Sequence, residues 1–187
     1  MHTTKMLLLV GGAALALAGC GTTGTAGGGP GGGTVGTKGV NPECPSMAAL
    51  RQPVLMCPQG GNDCGVPVEI VPDGQGGCMV DVNVDVVQMK GNASGRSTYL
   101  FWWIATPGPW EFRVEPEPFE APVIFKDNVP AARETFSPPR VSANGRTVFI
   151  ENRNKGNTKF NYKIRVYRKN PGTPPLESPD PAIFNDG

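Results

Sequence analysis

Short runs in which apolar and polar residues alternate, separated by Gly- and Pro-rich turns, constrain the fold of this chain most. Every second residue from Val80 to Val86 is valine, and polar residues stand between them. The segment 158–168 repeats the alternation with aromatic and aliphatic side chains. A period of two is typical of a β-strand with one buried and one solvated face, because successive side chains point to opposite sides. We therefore predict that strands build the core.

The rest of the pattern extends this prediction to an all-β fold. Further β-like runs lie at 66–71, 99–106, 110–114, 122–126 and 147–151. Prolines scattered between residues 107 and 139 exclude long helices, because Pro removes a backbone donor and clashes with the preceding turn. About seven strands over roughly 110 residues predict an antiparallel β-sandwich of immunoglobulin-like shape, with a small β-barrel as the alternative.

Two hairpins are predicted within this fold. One joins 66–71 to 79–89 through a Gly-rich loop, and the other joins 147–151 to 158–168 through an Asn-containing loop. Gly and Asn favour such turns because they tolerate left-handed backbone conformations. Each pair is therefore expected to form neighbouring antiparallel strands.

The N-terminal residues carry the features of an export signal. Lys5 precedes an apolar stretch, 6–18, that is too short to span ~30 Å of hydrocarbon as a helix. The stretch runs into Leu-Ala-Gly-Cys at 17–20, which resembles the lipobox of bacterial lipoproteins. The resemblance implies that residues 1–19 are removed as a signal peptide and that Cys20 becomes the lipid-acylated N-terminus.

A flexible tether is predicted at residues 20–41. Ten of the twenty residues in 21–40 are Gly and five are Thr, so no apolar surface can offset the entropy of ordering them. Such a linker has an r.m.s. reach of roughly 25 Å. Gly21 follows the cysteine where inner-membrane lipoproteins of enteric bacteria carry Asp, so the resemblance implies an anchor in the outer membrane.

The predicted β-domain spans 42–169 and is followed by a Pro-rich tail, 170–187. The tail either extends into solvent or docks on the domain through Ile183 and Phe184. Its motif Asp-Pro-x-Ile-x-Asn at 180–185 resembles the ends of small exported proteobacterial proteins without an assigned function. That resemblance implies no activity.

Cysteine usage fits an exported protein. Beyond Cys20 the chain holds an even number of cysteines, Cys44, Cys57, Cys64 and Cys78, which predicts two structural disulfides. The pairing is either local, 44 with 57 and 64 with 78, or nested, with 57–64 inside 44–78. The spacings lack the close Cys pairs of zinc sites and the Cys-x-x-Cys of thiol oxidoreductases.

The sequence contains few residues suited to catalysis. The single histidine, His2, lies in the predicted signal peptide, which excludes imidazole-dependent nucleophiles and the usual zinc sites from the mature protein. Asp81 and Asp85 would stand about 13 Å apart on one strand face, too far for a glycosidase pair. With Asn83 they begin like a calcium loop, but the required Gly is missing. We predict no catalytic residue, metal site or cofactor, and no enzymatic activity.

Positive charge is concentrated near the C-terminal end of the domain. Residues 140–169 hold nine basic side chains and one acidic side chain, Glu151. Strand alternation places Lys159, Lys163 and Arg165 on one face. This face is a candidate contact for an anionic envelope polymer or partner protein, and a solvated strand face is the alternative.

Adjacent tryptophans form the second candidate surface. Trp102 and Trp103 lie in an aromatic run at 99–106, and neighbouring strand residues must point to opposite faces. One of them is expected in the core. The other is then available to anchor a partner, stack on a sugar ring or pack beneath another segment.

These features predict a non-enzymatic, membrane-anchored envelope lipoprotein that binds another envelope component or has a structural role. Its expected partners are the membrane, through the lipid, and an envelope protein or anionic polymer; nucleic acid is not expected. The alternative is a carbohydrate-binding or carbohydrate-active periplasmic protein, in which aromatic rings stack on sugars and carboxylates perform chemistry.

Overall fold

Two β-sheets packed on a common core make up the described part of the chain. A computed structural model describes residues 44, 51–57, 63–90, 97–117, 119–153, 156–170 and 172–186. The predicted signal peptide, Cys20 and the tether lie outside these residues. The elements, in chain order, are β1 (Gln52–Cys57), β2 (Cys64–Pro72), β3 (Cys78–Val82), β4 (Val84–Lys90), β5 (Thr98–Ile104), β6 (Trp110–Glu111), β7 (Val123–Phe125), α1 (Val129–Thr135), β8 (Arg140–Val141), β9 (Thr147–Asn152), β10 (Thr158–Arg168), β11 (Leu176–Glu177) and β12 (Ala182–Asp186).

The predicted β-sandwich is confirmed, and neither sheet of the described residues closes into a barrel. One sheet has five strands in the order β3-β2-β5-β9-β8. The other has seven, in which β1, β4 and β12 lead to the long β10, and β10 also pairs with β6, β7 and β11. The sheets are mixed rather than purely antiparallel, because β1–β4, β4–β12 and β2–β5 are parallel pairs.

The predicted strand 79–89 is two strands in different sheets. β3 forms the expected hairpin with β2, but the chain leaves that sheet at Asn83 and continues as β4 in the seven-stranded sheet. Val84 is buried and Val86 only half-buried, so the valine alternation loses its phase after the crossing. Asp81 and Asp85 consequently do not share a strand face, which corrects the sequence-based placement.

The second predicted hairpin is not formed, because the chain crosses from one sheet to the other after β9. β9 pairs with β5 and β8 in the five-stranded sheet, whereas β10 lies in the seven-stranded sheet. Both strands bury alternate residues against the same core, so their sequences read like the two arms of a hairpin. The chain links the two layers here as it does at Asn83.

Of the two alternatives for the C-terminal segment, docking is the one found. β12 lies between β4 and β10, parallel to the first and antiparallel to the second. Ile183 is fully buried, and Asn185 forms a buried amide pair with Asn152 of β9, with 2.8 Å between Nδ2 of Asn152 and Oδ1 of Asn185. The segment therefore completes one sheet and is hydrogen-bonded to the other.

The two predicted disulfides are present in the nested arrangement. Cys44 is bonded to Cys78 and Cys57 to Cys64. The first joins the N-terminal part of the chain to the start of β3, and the second joins the end of β1 to the start of β2. The outermost strand of the seven-stranded sheet is thus covalently linked to the five-stranded sheet.

Candidate functional site

A group of aromatic side chains lies on the outer surface of the five-stranded sheet. We call Tyr99, Phe101 and Trp103 of β5 and Phe149 of β9 the aromatic face. The first three alternate with Leu100, Trp102 and Ile104, which point into the core. Tyr99 is 45% exposed and Trp103 36% exposed. Phe101 pairs across the strands with Phe149, so four rings share one surface.

Gly65 sets the arrangement of two of these rings. It lies opposite Phe101 on the neighbouring β2. A Cβ atom at this glycine would stand 2.5 Å from Cζ of Phe101 and 2.7 Å from Cζ3 of Trp103, closer than atoms can approach. The two rings, whose centroids are 5.7 Å apart, therefore cover the bare backbone of β2. Only glycine leaves this space for them.

A shallow depression of about 320 Å³ lies within this surface. Asp63, Tyr99, Phe101, Thr147 and Phe149 line it. The described residues of the lining therefore combine three aromatic rings with one carboxylate and one hydroxyl group, and none of them is basic. This composition suits an uncharged ligand that has both apolar surface and hydrogen-bonding groups.

The two tryptophans have different surroundings. Trp102 is fully buried, and its Nε1 donates a hydrogen bond to the hydroxyl of Tyr162 at 3.1 Å across the core. Burial raises the pKa of Tyr162 far above its ordinary value, so the phenol stays protonated. Of this adjacent pair, Trp103 is therefore the one that reaches the surface, whereas Trp102 is hydrogen-bonded across the core to the other sheet.

The predicted basic residues share an acidic partner within the fold. Lys163 and Arg165 both contact the carboxylate of Glu177 on β11, at 3.0 Å and 2.6 Å. The hydrogen bond from Arg165, supported by that from Lys163, holds the pKa of Glu177 below its ordinary value. Lys159, the third predicted residue, is exposed at the other end of β10.

The outer face of β10 continues as a series of polar pairs. The hydroxyl of Tyr167 donates to Glu115 at 2.7 Å, and the guanidinium of Arg113 lies 5.1 Å from the centre of the same ring. Burial, followed by the hydrogen bond to Glu115, raises the pKa of Tyr167. Asn161 donates to Asp127 at 2.6 Å. Most of the polar side chains named on this face therefore donate hydrogen bonds to acidic side chains of the same chain.

Sequence reasoning missed these acidic partners and the role of Gly65. Glu115 and Glu177 belong to a loop and a two-residue strand that carry no periodic signal. Gly65 is one glycine among 26, and its importance depends on a parallel pairing that no local pattern reveals. One sequence signal could have revealed the aromatic face: Tyr99, Phe101 and Trp103 occupy every second position of one strand and so share a side of the sheet.

Metal-holding clusters of side chains and helices able to span a membrane are absent from the described residues. They contain no group of three or more His, Cys, Asp or Glu side chains able to hold a metal ion. Asp85 instead contacts Arg51 at 2.6 Å. No helix in this part of the chain is long and apolar enough to cross a membrane. No protein-family model and no curated protein sequence matches the chain.

Proposed function

We propose that this protein is a non-enzymatic binding module of the bacterial envelope, anchored in the outer membrane through acylated Cys20. The observation that carries the binding role is the aromatic face, on which Tyr99 and Trp103 remain exposed beside a depression. Large exposed aromatic side chains cost solubility and are typical of contact surfaces, where Trp and Tyr dominate binding energy.

The aromatic face is a stronger candidate contact than the basic residues of β10. Lys163 and Arg165 are only 31% and 26% exposed, and one carboxylate already neutralises part of their charge. A partner would have to displace Glu177 to use them fully. Within the described part of the chain, no side chain would have to leave Trp103 or Tyr99 before they contact a ligand.

The absence of histidine after Cys20 supports a binding role rather than catalysis. The two carboxylates that the sequence suggested as a pair are separated, because Asp81 and Asp85 lie in different sheets. Among the described residues that line the depression in the aromatic face, Asp63 is the acidic one. Acid–base hydrolysis of a glycosidic bond requires two carboxyl groups, so this depression is suited to binding.

Anchoring is tested by Cys20→Ser in the full chain. We expect the wild type to incorporate labelled palmitate and to sediment with outer membranes. The variant should lose the label and appear in the soluble periplasmic fraction, because no acyl chain remains to hold it. Palmitate incorporation or membrane sedimentation that is unchanged in the variant would contradict the anchor.

The contact surface is tested by capture of envelope components on the full chain carrying Tyr99→Ala and Trp103→Ala. We expect loss of specifically captured material. The matched control is Val54→Ala with Met56→Ala, which removes two side chains of similar exposure, 45% and 49%, from β1 in the other sheet. Equal capture by both double variants would contradict the assignment, provided that circular dichroism shows both to be folded.

A further inference from the structure

We infer that the depression in the aromatic face binds a neutral glycan chain, with a pyranose ring stacked on its aromatic walls. This inference rests on the proposed function and names the ligand class of the same surface. Three rings, Tyr99, Phe101 and Phe149, line the depression together with Asp63 and Thr147. The ligand must therefore offer apolar faces and hydrogen-bonding edges at once.

The aromatic rings select a ligand with flat, weakly positive C–H surfaces. The faces of Tyr and Phe rings are negatively polarised, so they attract C–H groups as well as ring edges. A pyranose ring presents such C–H groups on its faces and hydroxyls around its rim. Along β5, the Cα atoms of Tyr99, Phe101 and Trp103 follow one another at intervals of about 6.6 Å, since alternate strand residues share a face, and the ring centroids of Phe101 and Trp103 are 5.7 Å apart. This repeat suits a chain of sugar units better than a single sugar.

The polar groups of the depression exclude other ligand classes. The Asp63 carboxylate accepts hydrogen bonds and Thr147 both donates and accepts, so hydroxyl groups satisfy them both. An aliphatic ligand would leave these groups unpaired, which is costly once water is displaced. An anionic ligand would face Asp63, and none of the described residues that line the depression is basic and could balance the charge. A neutral polyhydroxyl compound meets all three conditions.

The position of the depression also argues against an extended peptide. Peptides that add to sheets need an open strand edge for their main-chain hydrogen bonds. β5 lies between β2 and β9, and β9 lies between β5 and β8. Their backbone groups are therefore engaged within the sheet, and a ligand on this face must bind through side chains alone. Stacking on rings is the interaction that such a surface provides.

The test uses the full chain carrying Cys20→Ser, titrated with the neutral tetrasaccharide of β-1,4-linked N-acetylglucosamine and, separately, with maltotetraose. Isothermal titration gives the affinity. We expect saturable binding of at least one probe, weakened about two- to tenfold by Tyr99→Ala or Phe149→Ala, in line with the energy of one aromatic contact. Val54→Ala with Met56→Ala should bind as the parent does.

Gly65→Ala provides a variant that keeps every aromatic ring. Its new methyl group would overlap Phe101 and Trp103, whose ring atoms lie 2.5 Å and 2.7 Å away, so the rings must move. We expect a severalfold loss of glycan affinity, with the fluorescence of Trp103 altered. Unchanged affinity would show that the depression is not the binding site.

The outcomes separate this inference from the proposed function. If neither tetrasaccharide binds at millimolar concentration, while Tyr99→Ala with Trp103→Ala still loses an envelope protein, the glycan inference is overturned and the binding module stands. If a probe binds but the aromatic-face variants do not weaken it, the site is wrong. If glycan binding holds but Cys20→Ser remains acylated and membrane-bound, the anchor fails and the ligand class stands.

Discussion

Arg146 makes several hydrogen bonds to the loop between β5 and β6. Its Nη2 donates to the carbonyls of Ile104 and Thr106, both at 2.6 Å, and Nη1 donates to those of Gly108 and Trp110 at 3.3 Å and 3.4 Å. Desolvation lowers the pKa of this guanidinium, but its ordinary value is so high that it stays charged. One side chain thus donates hydrogen bonds to four backbone carbonyls.

We predict that Arg146→Ala lowers the free energy of unfolding by about 2–3 kcal/mol, because several charge-assisted hydrogen bonds are lost and their carbonyl acceptors stay partly buried. Urea unfolding followed by circular dichroism measures the change. Arg146→Lys should recover only part of it, since an ammonium group cannot reproduce the planar fork. Arg153→Ala, which removes one exposed contact to the carbonyl of Glu134, is the control and should cost below about 0.5 kcal/mol.

A second residue-scale prediction concerns two acidic side chains that face each other. Glu69 of β2 pairs directly with Asp81 of β3, and Glu69 is only 4% exposed, with no hydrogen-bond partner for Oε2. Like charges at opposed positions destabilise a sheet. We predict that Glu69→Gln raises the free energy of unfolding by up to about 1 kcal/mol. Calorimetry would show this as a higher midpoint.

The same repulsion can be relieved from the other strand. Asp81→Asn should also stabilise the protein, and the double variant should gain less than the sum, because each change alone removes the like-charge contact. Additive effects would mean that the two carboxylates do not interact. A destabilised Glu69→Gln would show instead that the carboxylate has a favourable role.

At the scale of elements, β10 depends on Glu177 of β11. This carboxylate bridges Lys163 and Arg165, and all three side chains are 26–33% exposed. We predict that Glu177→Gln lowers the free energy of unfolding by about 1 kcal/mol at pH 7, the size expected for a partly screened bidentate pair. Equilibrium urea unfolding at pH 7, 5 and 3 measures it.

The pH dependence of that difference has a definite sign. Because the pKa of Glu177 is lowered in the folded state, its stabilisation is present above the unfolded-state pKa of about 4.3 and is lost as the pH falls through the lower folded-state pKa. The difference between wild type and Glu177→Gln should therefore shrink as the pH falls from 7 to 3. Glu120→Gln, whose backbone carbonyl keeps its bond from Arg165, should match wild type throughout. A difference as large at pH 3 as at pH 7 would contradict the ion-pair explanation.

Element-scale patterns explain how far the sequence could predict this fold. Alternation at 79–89 and 158–168 correctly indicated strands, and it identified the buried face of 158–168, but in 79–89 the alternation held only as far as Val82. It could not reveal the crossings at Asn83 and after β9, because strands in opposite sheets bury their side chains in the same core. The same reasoning applied to Trp102 and Trp103 required one buried and one outward ring. The outward position of Trp103 became clear only with the pairing of β5 and β2.

The candidate site was only partly predictable for a similar reason. The prediction correctly placed the basic residues of β10 on one face. It did not foresee their partner Glu177, because this residue lies in the segment that was predicted only as a Pro-rich tail. The aromatic face is built from β5 and β9. Gly65, in the strand on the opposite side of β5 from β9, lies against two of its rings, and Asp63 precedes that strand. Such a surface depends on strand order, which local patterns do not encode.

At the scale of the whole molecule, one disulfide joins the two sheets, and the other joins the N-terminal part of the chain to the five-stranded sheet. Cys57–Cys64 links the edge strand β1 to β2, and Cys44–Cys78 fixes the incoming chain at β3. β1 contributes several exposed side chains and pairs with β4 along one edge. Cys57–Cys64 therefore holds a strand that lies at a sheet edge and has several exposed side chains.

We predict that the longer link stabilises the molecule more. The cysteines are 34 residues apart in Cys44–Cys78 and 7 apart in Cys57–Cys64, so loop-closure entropy gives about 3.8 and about 2.4 kcal/mol. Paired Ala substitutions, which keep these positions apolar, should lower the free energy of urea unfolding in that order, with a gap of about 1.4 kcal/mol. A larger loss from Cys57→Ala with Cys64→Ala would mean that holding β1 against β2 outweighs the entropy of the unfolded chain.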